Sequence, residues 1–455
     1  MINNINLTEG KIRRTLVKLA LPIMGTSFIH MAYNLTDIMW LGRLSTDAVA
    51  AAGAAGFFLW FASALVMISQ VGVGVNVAQS YGKEDLEGAK IYISNGLQLN
   101  LFIAIIYSLL LFIFRHKIIG FFNIQEHEVV NMAVEYLTII SIGMTFHFLN
   151  PVFSAVLNST GNSITPFKTN TIGLIVNIVI DPILIFGFGP IPPMGIKGAA
   201  LATIMSQFFV TVIFIIIGKK YNTIYSHVRL FNRPIIKIVK SIIKIGFPPF
   251  VQVGLHSVIA MIITKILSDF GPVAIAVQSI GSQIESISWM TADGFSSAIS
   301  AFVGQNYGAG KIKRIKDGYK QGIQIIGGIG IITTLLLILG AEPLFTLFVP
   351  DDPLAIKEGI IYLRILGMSQ FLMTIEIGTT GAFNGLGKTL YPTINGIVFN
   401  ALRIPAALIL SKTVLGLSGV WWAISVSSNL KGIIIFILFF IYWKHFEKTK
   451  TEDYF

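Results

Sequence analysis

Five carboxylates stand inside otherwise apolar stretches of this 455-residue chain: Asp37, Asp181, Glu285, Asp293 and Glu376. A charged side chain in a hydrocarbon setting is costly, so it is retained where it faces a cavity, a partner or an ion. The plainer alternative is a helix-end acid reaching headgroups, or a buried pair fastening two helices. Clustering separates the two readings. Asn177 and Asp181 are four residues apart and share one helix face. Pro182 follows at once, and its missing N–H frees the Ile178 carbonyl one turn earlier. Desolvation disfavours a charged carboxylate, and two acids brought together share a proton and titrate as a unit. Asn and Thr oxygens beside them complete a hydrogen-bond network around the protonated form. The same oxygens suit Na⁺, because hard cations prefer oxygen ligands.

The elements that must position these groups are long and apolar. Hydrophobic residues make up 54% of the chain and charged residues 12%, against about 25% charged in an ordinary soluble domain. That composition excludes a soluble enzyme or a disordered chain. There is no Cys, which removes disulfides, thiolate metal sites and Cys nucleophiles, and the seven His form no HExxH motif. The net charge of +11 resides in short loops, not in a nucleic-acid-binding patch, and no nucleic-acid partner is expected. The polar, basic opening MINNINLTEGKIRRTLVK does not read as a cleavable signal.

A membrane-spanning helix needs roughly 20 mainly apolar residues. Twelve such runs occur, near 16–40, 49–79, 91–114, 131–156, 165–187, 196–218, 242–267, 272–304, 320–349, 356–385, 390–411 and 416–443. With a cytoplasmic N-terminus, the inside segments carry 23 Lys and Arg and the outside loops 8. The positive-inside rule therefore places both termini in the cytoplasm of a multi-pass cell-membrane protein.

An internal repeat organises the runs. AQSYGKED at 78–85 returns as GQNYGAGK at 304–311, and Pro22 of LALPIM matches Pro248 of KIGFPPF, both at an offset of 226. At the same offset NSTGNSITPF (158–167) returns as NGLGKTLYPT (384–393). Six helices per repeat is an even number, so the repeats share one orientation. The expected fold is an all-α membrane protein: twelve transmembrane helices in two pseudo-symmetric six-helix lobes. Residues 1–222 form the N-terminal lobe, 223–240 a basic cytoplasmic linker suited to anionic headgroups, and 241–455 the C-terminal lobe.

Runs 1 and 5 both travel outward, and Asp37 and Asp181 each lie a few residues before their outer ends. Run 6 starts outside, which puts Thr203 about two turns in from the same end. Asp37, Asn177, Asp181 and Thr203 thus converge in depth, and Pro22 gives run 1 a place to bend. The repeat breaks where it matters: Ile263 stands opposite Asp37, and Arg403 opposite Asn177. The C-terminal lobe carries a different polar set, Gln252, His256, Glu285, Glu376 and Arg403, more suited to substrate or stability. Arg403 needs a partner there, and Glu376 or Glu285 is the expected one.

The chain resembles the multidrug and toxic compound extrusion (MATE) family. The resemblance rests on the six-plus-six repeat, LALPIMG…YNLTDIMWLG in run 1, NIVIDPILIFGFG in run 5, VGQNYGAGK after run 8 and GAFNGLGKT after run 10. It implies a secondary antiporter that exports amphipathic, commonly cationic compounds in exchange for H⁺ or Na⁺, with a bent first helix at Pro22. It also implies a coupling site at Asp37, Asn177, Asp181 and Thr203, and no cofactor beyond the ion. Some members carry a Glu on helix 7. Here run 7 holds Gln252, His256 and Ser257 instead, which favours the DinF-like branch over the NorM-like one.

Other classes fit less well. A major-facilitator transporter would show a GxxxDRxGRR-type loop after helix 2, where this chain reads SYGKEDLEGAK. A lipid-linked flippase, or an exporter of one dedicated metabolite, is the alternative transporter reading. A lipid-modifying membrane enzyme would want a loop motif such as DDxxD, and the one DD pair is Asp351–Asp352 in DDPLAIKE. A monomer suffices for any of these transporters.

Overall fold

A computed structural model describes residues 4–220, Ile224, Leu230 and 232–452, with side chains through residue 447. The rest of the expected linker, residues 223, 225–229 and 231, lies outside the described residues. Everything regular among the described residues is helical. In chain order the helices are α1 (Ile12–Leu44), α2 (Thr46–Gly82), α3 (Leu86–Gly120), α4 (His127–Ser159), α5 (Ile164–Phe186), α6 (Ile196–Lys220), α7 (Ile236–Ser268) and α8 (Pro272–Gly308). Then follow α9 (Ile312–Leu339), α10 (Ala341–Thr346), α11 (Pro353–Gly367), α12 (Gln370–Gly385), α13 (Leu390–Ala401), α14 (Arg403–Leu410) and α15 (Leu417–Glu452).

Local chemistry sets several helix starts. The Ser45 side chain accepts the Ala48 N–H at 3.0 Å and Asp85 accepts that of Gly88 at 2.8 Å. Asp352 accepts from Leu354 and Ala355 ahead of Pro353 in the first helical turn. Each satisfies donors that a helix start leaves without intrahelical partners.

The twelve apolar runs map onto these helices, with the tenth divided at Met368–Ser369 into α11 and α12, bent by 48°, and the eleventh divided at Leu402. Ten spans have the length and hydropathy of membrane-crossing helices, and the bent pair makes an eleventh. The twelfth, α8, is long enough but interrupted by Gln278, Gln283, Glu285 and Asp293. The chain is an all-α membrane protein.

The described chain forms two compact units. Unit 1 comprises residues 4–7, Leu21–Phe250 and Gly308–Gly310; unit 2 comprises Thr8–Ala20, Val251–Tyr307 and residues 311–452. The chain therefore changes unit within α1, beside Pro22, and within α7, just after Pro248 and Pro249. Unit 1 packs around Tyr136, Met144 and Phe148, with a second cluster of Val73, Phe153, Phe214 and Ile242. Unit 2 packs around Phe345, Tyr362 and Trp421, and around Ile263, Ala407 and Val420. Ile263, the repeat counterpart of Asp37, thus sits in a wholly apolar cluster.

Candidate functional site: a carboxylate pair in unit 1

Helix α5 buries a stripe of Asn170, Gly173, Asn177, Asp181 and Ile185, spaced three or four residues apart. The stripe is polar in its middle yet fully buried, because α6 packs directly upon it. A Cβ at Gly173 would collide with the Val210 side chain, and one at Gly198 with the Leu184 carbonyl. Close approach over small residues is the usual way membrane helices gain contact. Here it brings Thr203 of α6 to the level of Asp181.

The four expected groups meet. Asn177 Nδ2 donates to Asp181 Oδ1 at 3.1 Å. The Thr203 hydroxyl stands between the Ala199 carbonyl at 3.0 Å and Asp37 Oδ2 at 3.3 Å, so its single proton serves one at a time. The Asp37 and Asp181 carboxyl groups lie close enough to act on each other electrostatically. Asp181 and Asn177 are buried, and Asp37 is partly so. Asp37 Oδ1, Asp181 Oδ2 and Asn177 Oδ1 are buried oxygens that receive no hydrogen bond from any described residue. Buried acceptors are normally satisfied, so three together require an explanation. Two ionised carboxylates have no proton to offer each other, so a proton shared between them, or a cation, is the kind of group that would satisfy these oxygens. Pro22 lies in an unbroken α1, its carbonyl accepting Thr26 Oγ1 at 3.0 Å.

Sequence reasoning overlooked two tyrosines. Tyr33 of α1 and Tyr136 of α4, both buried, stand close enough to feel both carboxylates. Tyr33 is four residues before Asp37, a face-sharing spacing that the sequence does offer. Tyr136 carries no such sequence signal, because only tertiary packing brings α4 alongside.

The polar residues of unit 2 pair differently from expectation. Arg403 does not bond a carboxylate: its Nε donates to Ser427 Oγ at 2.7 Å and its Nη2 to Ser428 Oγ at 2.8 Å. Glu376 is taken by Lys431 of α15, with Nζ 3.4 Å from Oε2. Glu285 accepts the Tyr362 hydroxyl at 2.5 Å and Gln370 Nε2 at 3.1 Å. The reason is geometric. Arg403 begins α14 just past Leu402 and meets the serine pair of α15, while Lys431 extends from the same helix toward α12. His256 Nδ1 lies 3.3 Å from Asn400 Nδ2. Gln252 packs so tightly on α13 that a Cβ at Gly396 would sit 2.5 Å from its amide. Asp293 is exposed. Among the described residues no group of three His, Cys, Asp or Glu is placed to hold a metal ion.

Comparison with known proteins adds the lineage. The family model MatE matches twice, over residues 22–183 and 248–409, which reproduces the 226-residue repeat. The probable multidrug resistance protein NorM of Thermotoga maritima is 30% identical over 415 residues, covering 90% of this chain and 88% of that one. A protein of Shewanella oneidensis named FAD transporter is 24% identical, with 95% of each chain covered. A crystal structure of MATE in the bent conformation superposes with a TM-score of 0.91 at 23% identity, over 98% of each chain. The doubled family match and the whole-length similarity lead to one conclusion: this chain belongs to the MATE family of membrane transporters.

Proposed function

We propose that the chain is an antiporter that exports amphipathic, cationic small molecules in exchange for H⁺ or Na⁺, the ion being held by Asp37 and Asp181 with Asn177 and Thr203. One observation carries the reading: Asp37, Asp181 and Asn177 are neighbours, and each has a buried oxygen that receives no hydrogen bond from a described residue. A proton shared between the carboxyl groups satisfies them; so does Na⁺, taking two carboxylates, an amide oxygen and a hydroxyl. Neutralising the pair removes the electrostatic reason for the two helices to hold their spacing. Helix α1 can respond, because Pro22 leaves the Lys18 carbonyl without its helical donor. The chain also changes unit beside Pro22 and beside Pro248–Pro249, where such flexing would serve alternating access. An ion drives this only through its differential affinity for the two states. The protein works in the cell membrane with both termini cytoplasmic, as a monomer and without a nucleic-acid partner.

The test is efflux of a fluorescent cationic dye from proteoliposomes under an imposed pH gradient or an imposed Na⁺ gradient. Response to one gradient, lost in Asp37→Asn, is the expected result. No response to either removes the ion-coupling reading.

A second reading has its own support. Arg403 places in unit 2 a guanidinium that bonds serine hydroxyls and no carboxylate, and one relative is named FAD transporter. On that reading the cargo is an anionic metabolite. Arg403→Met would then abolish transport of a flavin nucleotide while leaving cationic dye efflux unchanged.

A further inference from the structure

Unit 2 carries an apolar groove that ion coupling and the carboxylate pair do not use. Its walls are α9, α12 and α15, which contribute Gly327, Gly328 and Ile331, Phe371, and Phe436 respectively. The volume is about 460 Å³, within the usual range of small-molecule sites. The groove opens outward: Ile331 is 51% exposed, Ile433 40% and Ile437 46%. In membrane-crossing helices an exposed apolar wall of this kind faces acyl chains. What separates it from an ordinary lipid-facing surface is its concavity, created by glycine. A Cβ at Gly328 would meet nothing within 4 Å.

The second observation is charge at one end. Gln324 is the one polar side chain in the lining, and the α9 stripe that contains it runs Lys313, Lys316, Lys320, Gln324, Gly328, Ile331 at helical spacing. Arg13 of the same unit donates Nη2 to Gln324 Oε1 at 3.0 Å, which holds a guanidinium at the groove mouth. Lys316 is engaged by Glu447 at 2.9 Å. Arg13, Lys313 and Lys320 are exposed and have no carboxylate within 4 Å among the described residues. This end holds Arg13, Lys313, Arg314, Lys316 and Lys320 against Glu9, Asp317 and Glu447, which leaves it net positive. An apolar slot ending in unneutralised cations complements one chemistry: an anionic head on a hydrocarbon chain.

We propose that this groove binds one anionic phospholipid, with an acyl chain laid along Gly327, Gly328 and Ile331 and the headgroup phosphate on Arg13 and Lys320. Hydrocarbon gains little by leaving the bilayer for an equally apolar groove. Selectivity therefore comes from the headgroup contacts, about fivefold per cation.

The experiment uses the full chain in nanodiscs of equal phosphatidylglycerol and phosphatidylcholine, transferred to detergent and read by native mass spectrometry. The expected result is one retained phosphatidylglycerol per chain, favoured over phosphatidylcholine by roughly fivefold to 25-fold. Gly328→Phe, which fills the groove without meeting a neighbour at Cβ, should lose the lipid. Arg13→Gln with Lys320→Gln should abolish the headgroup preference and needs no change in the groove. Equal retention of both lipids by the wild type overturns the proposal. So does unchanged phosphatidylglycerol retention in Gly328→Phe with normal melting, or an undiminished preference in the double variant.

Discussion

Glu376 and Lys431 offer the sharpest test of the division of labour between the two units. They are 5% and 9% exposed, and their charged atoms are 3.4 Å apart. At an effective dielectric of about 20, unit charges at that separation attract by about 5 kcal/mol. Removing one partner leaves the other buried and uncompensated, which typically costs about 3–5 kcal/mol. Removing both removes the desolvation cost as well, and is often close to neutral. We therefore expect Glu376→Gln and Lys431→Met each to lower the melting temperature of the detergent-purified protein by several degrees, roughly 2–4 °C per kcal/mol for a unit of this size. The double variant should recover most of that loss, so that its cost falls far short of the roughly 6–10 kcal/mol sum of the two singles and the double-mutant cycle shows an interaction energy of several kcal/mol. Ion-driven efflux in proteoliposomes should survive in the double variant if the pair serves to brace helices and the coupling ion is held in unit 1. Additive losses in the cycle would refute the ion-pair argument. Restored melting without restored efflux would place Glu376 in the transport cycle and refute the structural assignment.

Further expectations concern unit 1. Asp37→Asn should retain wild-type melting while abolishing ion-driven dye efflux; wild-type efflux would remove Asp37 from coupling. Thr203→Val deletes a hydrogen bond to a carboxylate worth about 1.5–3 kcal/mol. It should weaken dependence on the coupling ion by roughly tenfold or more, read as a shift in the half-saturating ion concentration. Gly173→Leu forces a side chain against Val210, so melting should fall by an amount equivalent to about 1–3 kcal/mol, with efflux falling alongside. Pro22→Ala restores a helical donor to the Lys18 carbonyl and relieves a cost of about 3 kcal/mol, so α1 should gain stability while efflux slows. Unchanged efflux in that variant would show that α1 does not flex there.

The large features of the architecture are written in one dimension. Twelve apolar runs follow from the bilayer as solvent, since a spanning segment must satisfy its own backbone and present hydrocarbon outward. The repeat is legible because the Pro and Gly positions answer to backbone geometry, and Pro22 and Pro248 keep their offset. Asn177 and Asp181 announce a shared face by spacing alone, and Asp37 and Thr203 announce a shared depth by their distance from helix ends. Lateral position is a different matter. Whether Asp37 faces Asp181 depends on which faces of α1, α5 and α6 meet, and that is decided by close contacts such as Gly173 against Val210 and Gly198 against Leu184. Tyr136 joins the site from 45 residues before Asp181 only because α4 packs beside it. Arg403 shows the same limit from the other direction. Charge complementarity along the sequence points to Glu376 or Glu285, yet packing against α15 sets the guanidinium on Ser427 and Ser428, and Lys431 takes Glu376. Period and depth are one-dimensional properties of a helix in a membrane, and the sequence alone determined them. The choice of partner across a helix interface is a property of packed surfaces, and only the tertiary structure decided it.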